Sequence, residues 1–137
     1  MRRVEGYSLW LGHVGDVLDH RGILATGILA VVDLALNEAP ASLPRELAYC
    51  RFPLLDGPGN PPWLLRAAVE TVAYLLRSGT STLVYCGAGM SRSPCIAAAA
   101  VALVRGLPAD EGLVLVSQSG PADVSPGLWS EVRAIVP

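Results

Sequence analysis

The sequence predicts an α/β fold with a central, mainly parallel sheet of four or five strands flanked by helices. Three observations lead there. Short β-branched and aromatic runs alternate with helical patterns as far as Cys86, after which only helical patterns follow. Ile28 to Val32 is apolar without alternation, the pattern of a strand buried on both faces. The length of 137 residues, 52% of them apolar, suits one domain around one core, so residues 1–137 are read as a single unit.

Residues 7–11 (Tyr-Ser-Leu-Trp-Leu) read as a first strand stopped by Gly12. Residues 14–20 read as a short helix, with Val14, Val17 and Leu18 at helical spacing. Ile28 to Val32 is the second strand, and residues 48–52 the third, ended by Pro53. Residues 56–62 carry the densest turn chemistry of the chain. Asn60 there suits a helix cap, with Pro61 tolerated in the first turn. The helix that follows runs from Pro62 to Arg77, with Leu64, Leu65, Ala68, Val72, Leu75 and Leu76 as its apolar face, and Ser78-Gly79 stops it. Thr82 to Tyr85 is the next strand, and Arg92 to Arg105 an alanine-rich helix. Pro108 opens a helix to Gln118, and Ser125-Pro126 opens a last one.

Between the strand at 82–85 and the helix at 92–105 lies Cys86-Gly87-Ala88-Gly89-Met90-Ser91-Arg92-Ser93. A loop joining a buried strand to a helix sits at the carboxyl end of the sheet, where α/β folds bind ligands. The amides of Gly87, Ala88, Gly89, Met90, Ser91 and Arg92 are not committed to the helix ladder, and they converge if the loop curls. The helix N-terminus adds its positive dipole end. Gly87 and Gly89 permit positive φ and close backbone approach. Arg92 can give a bidentate fork to two phosphate oxygens. The same field depresses the pKa of a thiol at Cys86 and favours the thiolate. Phosphate chemistry of this kind also needs a general acid for the leaving oxygen. Asp56, in the Gly/Pro-rich loop after the strand at 48–52, is the candidate, provided that strand neighbours the one at 82–85.

The rest of the composition narrows the classes. Net charge is −2 with no basic run, which excludes a nucleic-acid-binding face of the usual kind. All ten Lys+Arg residues are arginine. Mean hydropathy is +0.45. The uncharged runs Gly22 to Val32 and Ser93 to Val104 nonetheless fall well short of the roughly 20 residues a bilayer span needs. The opening Met1-Arg2-Arg3-Val4-Glu5-Gly6 has no apolar signal core behind it, so a cytoplasmic location is expected. Cys50, Cys86 and Cys95 are an odd set with no C-x-x-C pair, as expected of free thiols in a reducing compartment rather than of a zinc site.

These residues resemble the cysteine-dependent protein phosphatases, the small atypical dual-specificity subgroup most of all. The family signature is His-Cys, five residues, Arg, then Ser or Thr. Cys86 to Ser93 matches it, with the Ala-Gly and Ser-Arg-Ser elements that dual-specificity members favour. Leu9-Trp10-Leu11-Gly12 is similar to the family's Leu-Tyr-Leu-Gly strand. Gly27 to Ala35 is similar to its Gly-Ile-Thr-His-Val-Ile-Asn strand. Asp56 stands where the family's acid stands, and Ser125-Pro126 with Trp129 resembles its Ser-Pro-Asn segment. The resemblance implies a phosphatase-type three-layer sandwich that hydrolyses phosphomonoesters through a phosphocysteine, acting on phosphotyrosine and phosphoserine or phosphothreonine. It implies that Cys86 is the nucleophile and that Arg92 binds the phosphate. Asp56 is then the acid and later the base, and Ser93 the group that helps sulfur leave. Neither metal nor cofactor is implied. The substrate is a phosphorylated protein or a small phosphomonoester.

One departure stands out. Tyr85 occupies the family's usual histidine position, which implies a less acidic Cys86 and lower activity. Singly, each residue has a plainer reading: Cys86 a packing residue, Gly87 and Gly89 a turn, Arg92 a solvated helix start, Asp56-Gly57 a turn former. Cys50 and Cys95 are expected in the core, and His13 and His20 at the surface or in caps. A phosphoprotein-binding module without turnover, and a rhodanese-type sulfurtransferase, are the alternatives. Retention of Cys86, Arg92 and Asp56 disfavours the first, and the Arg92-Ser93 pair the second.

Overall fold

A computed structural model describes residues 1–136. The strands are β1 (Arg2–Arg3), β2 (Leu9–His13), β3 (Ala30–Ala35), β4 (Ala48–Leu54) and β5 (Thr82–Cys86). The helices are α1 (Val14–Leu18), α2 (His20–Thr26), α3 (Pro62–Arg77), α4 (Arg92–Arg105), α5 (Ala109–Ser117) and α6 (Pro126–Arg133). The five strands form one sheet in the order β1-β2-β5-β3-β4. β2, β5, β3 and β4 run parallel, and only the two-residue β1 is antiparallel.

The sheet divides the core in two. β5 shows the division by its alternation: Val84 and Cys86 face the α3–α6 side, while Leu83 and Tyr85 face the α1–α2 side. On the first side α4 lies in the middle, buried at every residue from Arg92 to Ala102. Its alanines reflect that crowding, since facing neighbours leave space only for small side chains. A Cβ on Gly112 of α5 would stand 2.3 Å from the Ala98 carbonyl oxygen. The second side is thinner, built from Val17, Ile23, Ile28 and Leu47.

Several boundaries depart from expectation. β2 runs through Gly12 to His13 because both pair with β5, opposite Tyr85 and Cys86. Its lack of a side chain serves packing there, for a Cβ would meet the Asp16 carboxylate at 2.8 Å. The helix expected over 14–20 is two helices, broken at Asp19 (φ −87°, ψ 76°), whose carboxylate caps α2 by accepting from the Gly22 amide at 3.0 Å. The strand expected at 28–32 lies at Ala30–Ala35 and carries Asp33 inside it. The apolar run marked only its first half; Asp33 is buried beyond it, its carboxylate accepting from Tyr49 and Arg51 of β4. β4 continues past Pro53 to Leu54, where its pairing with β3 shifts register. An edge strand at a bulge tolerates a residue that donates no ladder bond. Asn60 does not cap α3; Pro61 takes that position without a side-chain bond.

Candidate active site

The four parallel strands all end at one edge, so the turns after β2, β3, β4 and β5 gather there. β4 is not the neighbour of β5 as expected; β3 lies between them. The juxtaposition survives because parallel strands share an end. Asp56, Asn37 and the loop 87–91 therefore surround one cleft.

That loop is held open by its carbonyls. The Val14 amide donates to the Gly87 oxygen at 3.3 Å, and the Asp123 amide to the Met90 oxygen at 2.7 Å. Arg2 Nη2 donates to the Gly89 oxygen at 3.2 Å. With three carbonyls tied outward to three separate parts of the chain, the loop's amides are turned the other way. Among the described residues none of the N–H groups of 87–91 donates to a protein acceptor. Ser91 precedes the first turn of α4 without a side-chain cap, so that turn's donors are also left over. The two glycines serve different ends. Gly89 takes the left-handed conformation (φ 74°), and a Cβ on it would stand 2.8 Å from the Gly12 oxygen. Gly87 has no positive φ; its bare Cα makes room for Arg92 Nη2, which would stand 3.2 Å from a Cβ.

Cys86 ends β5 with its side chain on the α4 side of the sheet, 2% exposed. Its Sγ lies 3.3 Å from Ser93 Oγ. Arg92 is not a solvated helix start: it is 7% exposed. Its Nη1 reaches the ends of β3 and β4, donating to the Leu54 oxygen at 3.1 Å and to Asn37 Oδ1 at 2.9 Å. Its Nε is buried without a hydrogen-bond partner. A buried, unmet charged donor is costly, which points to an anion as the missing partner.

Asp56 lies beyond β4, exposed, with Oδ1 accepting from Ser91 Oγ at 2.5 Å. The loop around it is braced rather than slack. Asn60 accepts from the Leu55 amide at 2.8 Å and donates to the Leu55 and Gly57 oxygens at 3.0 and 3.2 Å. The Gly59 amide donates to Glu131 of α6 at 2.7 Å. The same Ser91 hydroxyl accepts from the Ser125 amide at 2.9 Å. Ser91 thus ties the loop, Asp56 and the segment before α6 together. Leu36, Asn37, Leu54, Leu55, Asp56 and Arg92 line a cleft of about 320 Å³.

Tyr85 points away from Cys86. It is 1% exposed on the α1–α2 side, where burial first and the nearby Asp33 carboxylate second push its phenol well above the usual value. Cys95 is in the core as expected, and burial followed by the Asp56 charge pushes its thiol up. Cys50 is only half-buried, on an edge strand. His13 caps α1, accepting from the Gly15 amide at 3.0 Å, and His20 is exposed. Sequence reasoning missed Asn37, the Ser91 hydroxyl and Arg2 as parts of the site. Arg2, Asn37 and Asp56 reach it across long stretches of chain that no local pattern links.

No family model matches the chain. Human dual specificity phosphatase 28 is 28% identical over 130 residues, covering 92% of this chain and 72% of that protein. Mouse dual specificity protein phosphatase 15 is 31% identical over 128 residues, covering 92% of this chain and 54% of that protein. The chain thus spans about half the length of the latter. Among solved structures, human DUSP28 superposes with a TM-score of 0.85 at 26% identity, over 98% of this chain and 94% of that one. A mouse protein described as a dual specificity phosphatase, complexed with zinc tungstate, gives 0.86 at 25% identity, over 98% and 85%. Sequence likeness and fold agree: this chain is similar to dual specificity phosphatases across most of its length.

Proposed function

We propose that the chain hydrolyses phosphomonoesters through a phosphocysteine intermediate, with residues 1–137 as one catalytic domain. The observation that carries this reading is the unpartnered Nε of Arg92, buried beside a loop whose amides have no protein acceptor. A tetrahedral oxoanion at that point satisfies both. The tungstate of the mouse structural neighbour is an oxoanion of that shape.

Cys86 as thiolate attacks phosphorus, forming the S–P bond as the P–O bond to the leaving group breaks. Asp56, protonated, delivers its proton to that oxygen. The loop amides of Gly87, Ala88, Gly89, Met90 and Ser91, with Arg92, take the charge of the equatorial oxygens. Water then attacks phosphorus while the Asp56 carboxylate removes its proton. The S–P bond breaks, and the Ser93 hydroxyl donates to the departing sulfur, for which its 3.3 Å separation is suited. Leu36 and Leu55 are exposed apolar residues on the same cleft, which suits the ring of phosphotyrosine and extends to phosphoserine or phosphothreonine. Three free cysteines suit a reducing, cytoplasmic location, and no described helix is long and apolar enough to cross a membrane.

The test is para-nitrophenyl phosphate hydrolysis by the wild type, Cys86→Ser and Asp56→Asn. Cys86→Ser abolishes turnover. Asp56→Asn lowers kcat by roughly 10²–10⁴-fold. Turnover that survives Cys86→Ser would overturn the mechanism. A wild type that binds phosphate but does not hydrolyse the ester would leave a binding module.

A further inference from the structure

We propose that Asn37 is a positioning residue for Arg92, and that its neutrality keeps the arginine's charge free for the oxoanion. The inference rests on the phosphatase reading of the site.

Arg92 uses one edge of its guanidinium for the protein and leaves the other for a ligand. Nη1 is anchored by the Leu54 oxygen at 3.1 Å and Asn37 Oδ1 at 2.9 Å, with the Leu34 oxygen further off at 3.4 Å. Nε is buried and unpartnered, and Nη2 lies against Gly87, next to Cys86. The free edge is the one a phosphate needs for two parallel hydrogen bonds. Asn37 is the one side chain in the anchoring set; the other acceptors are backbone oxygens. Rotation of the guanidinium about its last torsions is therefore limited by this amide.

Every anchor on Arg92 is a neutral oxygen, and Arg92 forms no ion pair among the described residues. Arg51 gives the contrast within the same molecule. It is bonded to the buried Asp33 carboxylate at 2.9 Å, and its charge is already answered. An asparagine offers the geometry of a carboxylate oxygen without the charge. An aspartate in its place would compete with the phosphate dianion for the arginine and repel it.

The turn that carries Asn37 is itself fixed by Arg51. Arg51 Nη2 donates to the Ala35 oxygen at 3.3 Å and to the Glu38 oxygen at 2.9 Å, on either side of Leu36 and Asn37. Asn37 is exposed and lines the cleft with Arg92 and Asp56. Its amide group stands 3.5 Å (Nδ2) and 3.9 Å (Oδ1) from the place a Gly87 Cβ would fill.

Asn37→Ala and Asn37→Asp are compared for para-nitrophenyl phosphate hydrolysis and for inhibition by inorganic phosphate. The same two changes, made in the Cys86→Ser background, are titrated with inorganic phosphate by calorimetry. Asn37→Ala is expected to lower kcat roughly tenfold through lost orientation, with a smaller change in KM. Asn37→Asp is expected to raise KM, the phosphate inhibition constant and the phosphate Kd at least about tenfold, by placing a charge next to Arg92. Tm moves by less than about 4 °C in both, since an exposed residue is changed. Asn37→Asp that binds phosphate as tightly as its parent overturns the inference, and so do equal losses in both variants that track a fall in Tm. If the wild type shows no Cys86-dependent turnover, the phosphatase reading fails while the phosphate titration still decides the role of Asn37.

Discussion

Arg92 brings a charged group into a nearly buried position and leaves one donor unanswered. Such a group costs about 1–3 kcal/mol in lost solvation, a cost that the oxoanion proposed for this site would offset. That Cys86, Ser93, Arg92 and the loop amides lie together was legible because they are adjacent in sequence. Asn37 was not, since its bond to Arg92 spans 55 residues. Asn60 was legible as a local bonding residue, but for the wrong partners: its amide folds back on Leu55 and Gly57 instead of capping α3. The thiols divide by environment. Burial raises the Cys95 thiol, and the Asp56 charge adds to the effect. Iodoacetamide near neutral pH should therefore label Cys50 in the native protein and Cys95 only after denaturation, as peptide mass mapping would report. Equal native rates at the two would contradict the burial argument.

Among the elements, α3 and α4 were read to their ends because long apolar faces and glycine stops mark them. The strands slipped by a few residues, since an apolar run fixes that a strand exists but its pairing fixes where it ends. β2 illustrates this: Gly12 looks like a stop, yet the ladder to β5 carries the strand through it. The contact of α5 with α4 is tighter than sequence suggests. Gly112 has an ordinary helical setting, but a Cβ would overlap the Ala98 oxygen and stand 2.9 Å from the Ala102 Cβ. Gly112→Ala should therefore destabilise the protein by about 1–3 kcal/mol in urea unfolding, although alanine is the better helix former. A gain in stability would mean that the two helices part at little cost. α4 also begins with Arg92, so pushing it aside disturbs the site.

For the whole molecule, the consequence of the fold lies at the carboxyl edge of the sheet, with stabilising contacts gathered at its flanks. Asp16 is one of these. Burial works to raise its carboxyl, but the His13 amide at 2.9 Å and the Met1 amino group at 3.0 Å outweigh it and hold the carboxyl below the usual value. The unfolded chain therefore takes up the proton first, near about pH 4, and the contact's contribution is full above that range. It is lost as pH falls through the lower folded value. Asp16→Asn should flatten the acid side of the Tm–pH curve, and an unchanged slope between about pH 3 and 5 would refute this. By itself the sequence determined the class of fold and singled out Cys86 and the loop after it as the candidate site, because these depend on local periodicity and on neighbours along the chain. The tertiary structure decided which groups complete the site. Strand order put β3 between β4 and β5, and so put Asn37 against Arg92. Ser91 became the fastening for Asp56. Tyr85 was turned to the far side of the sheet, since a strand sends successive side chains to opposite faces.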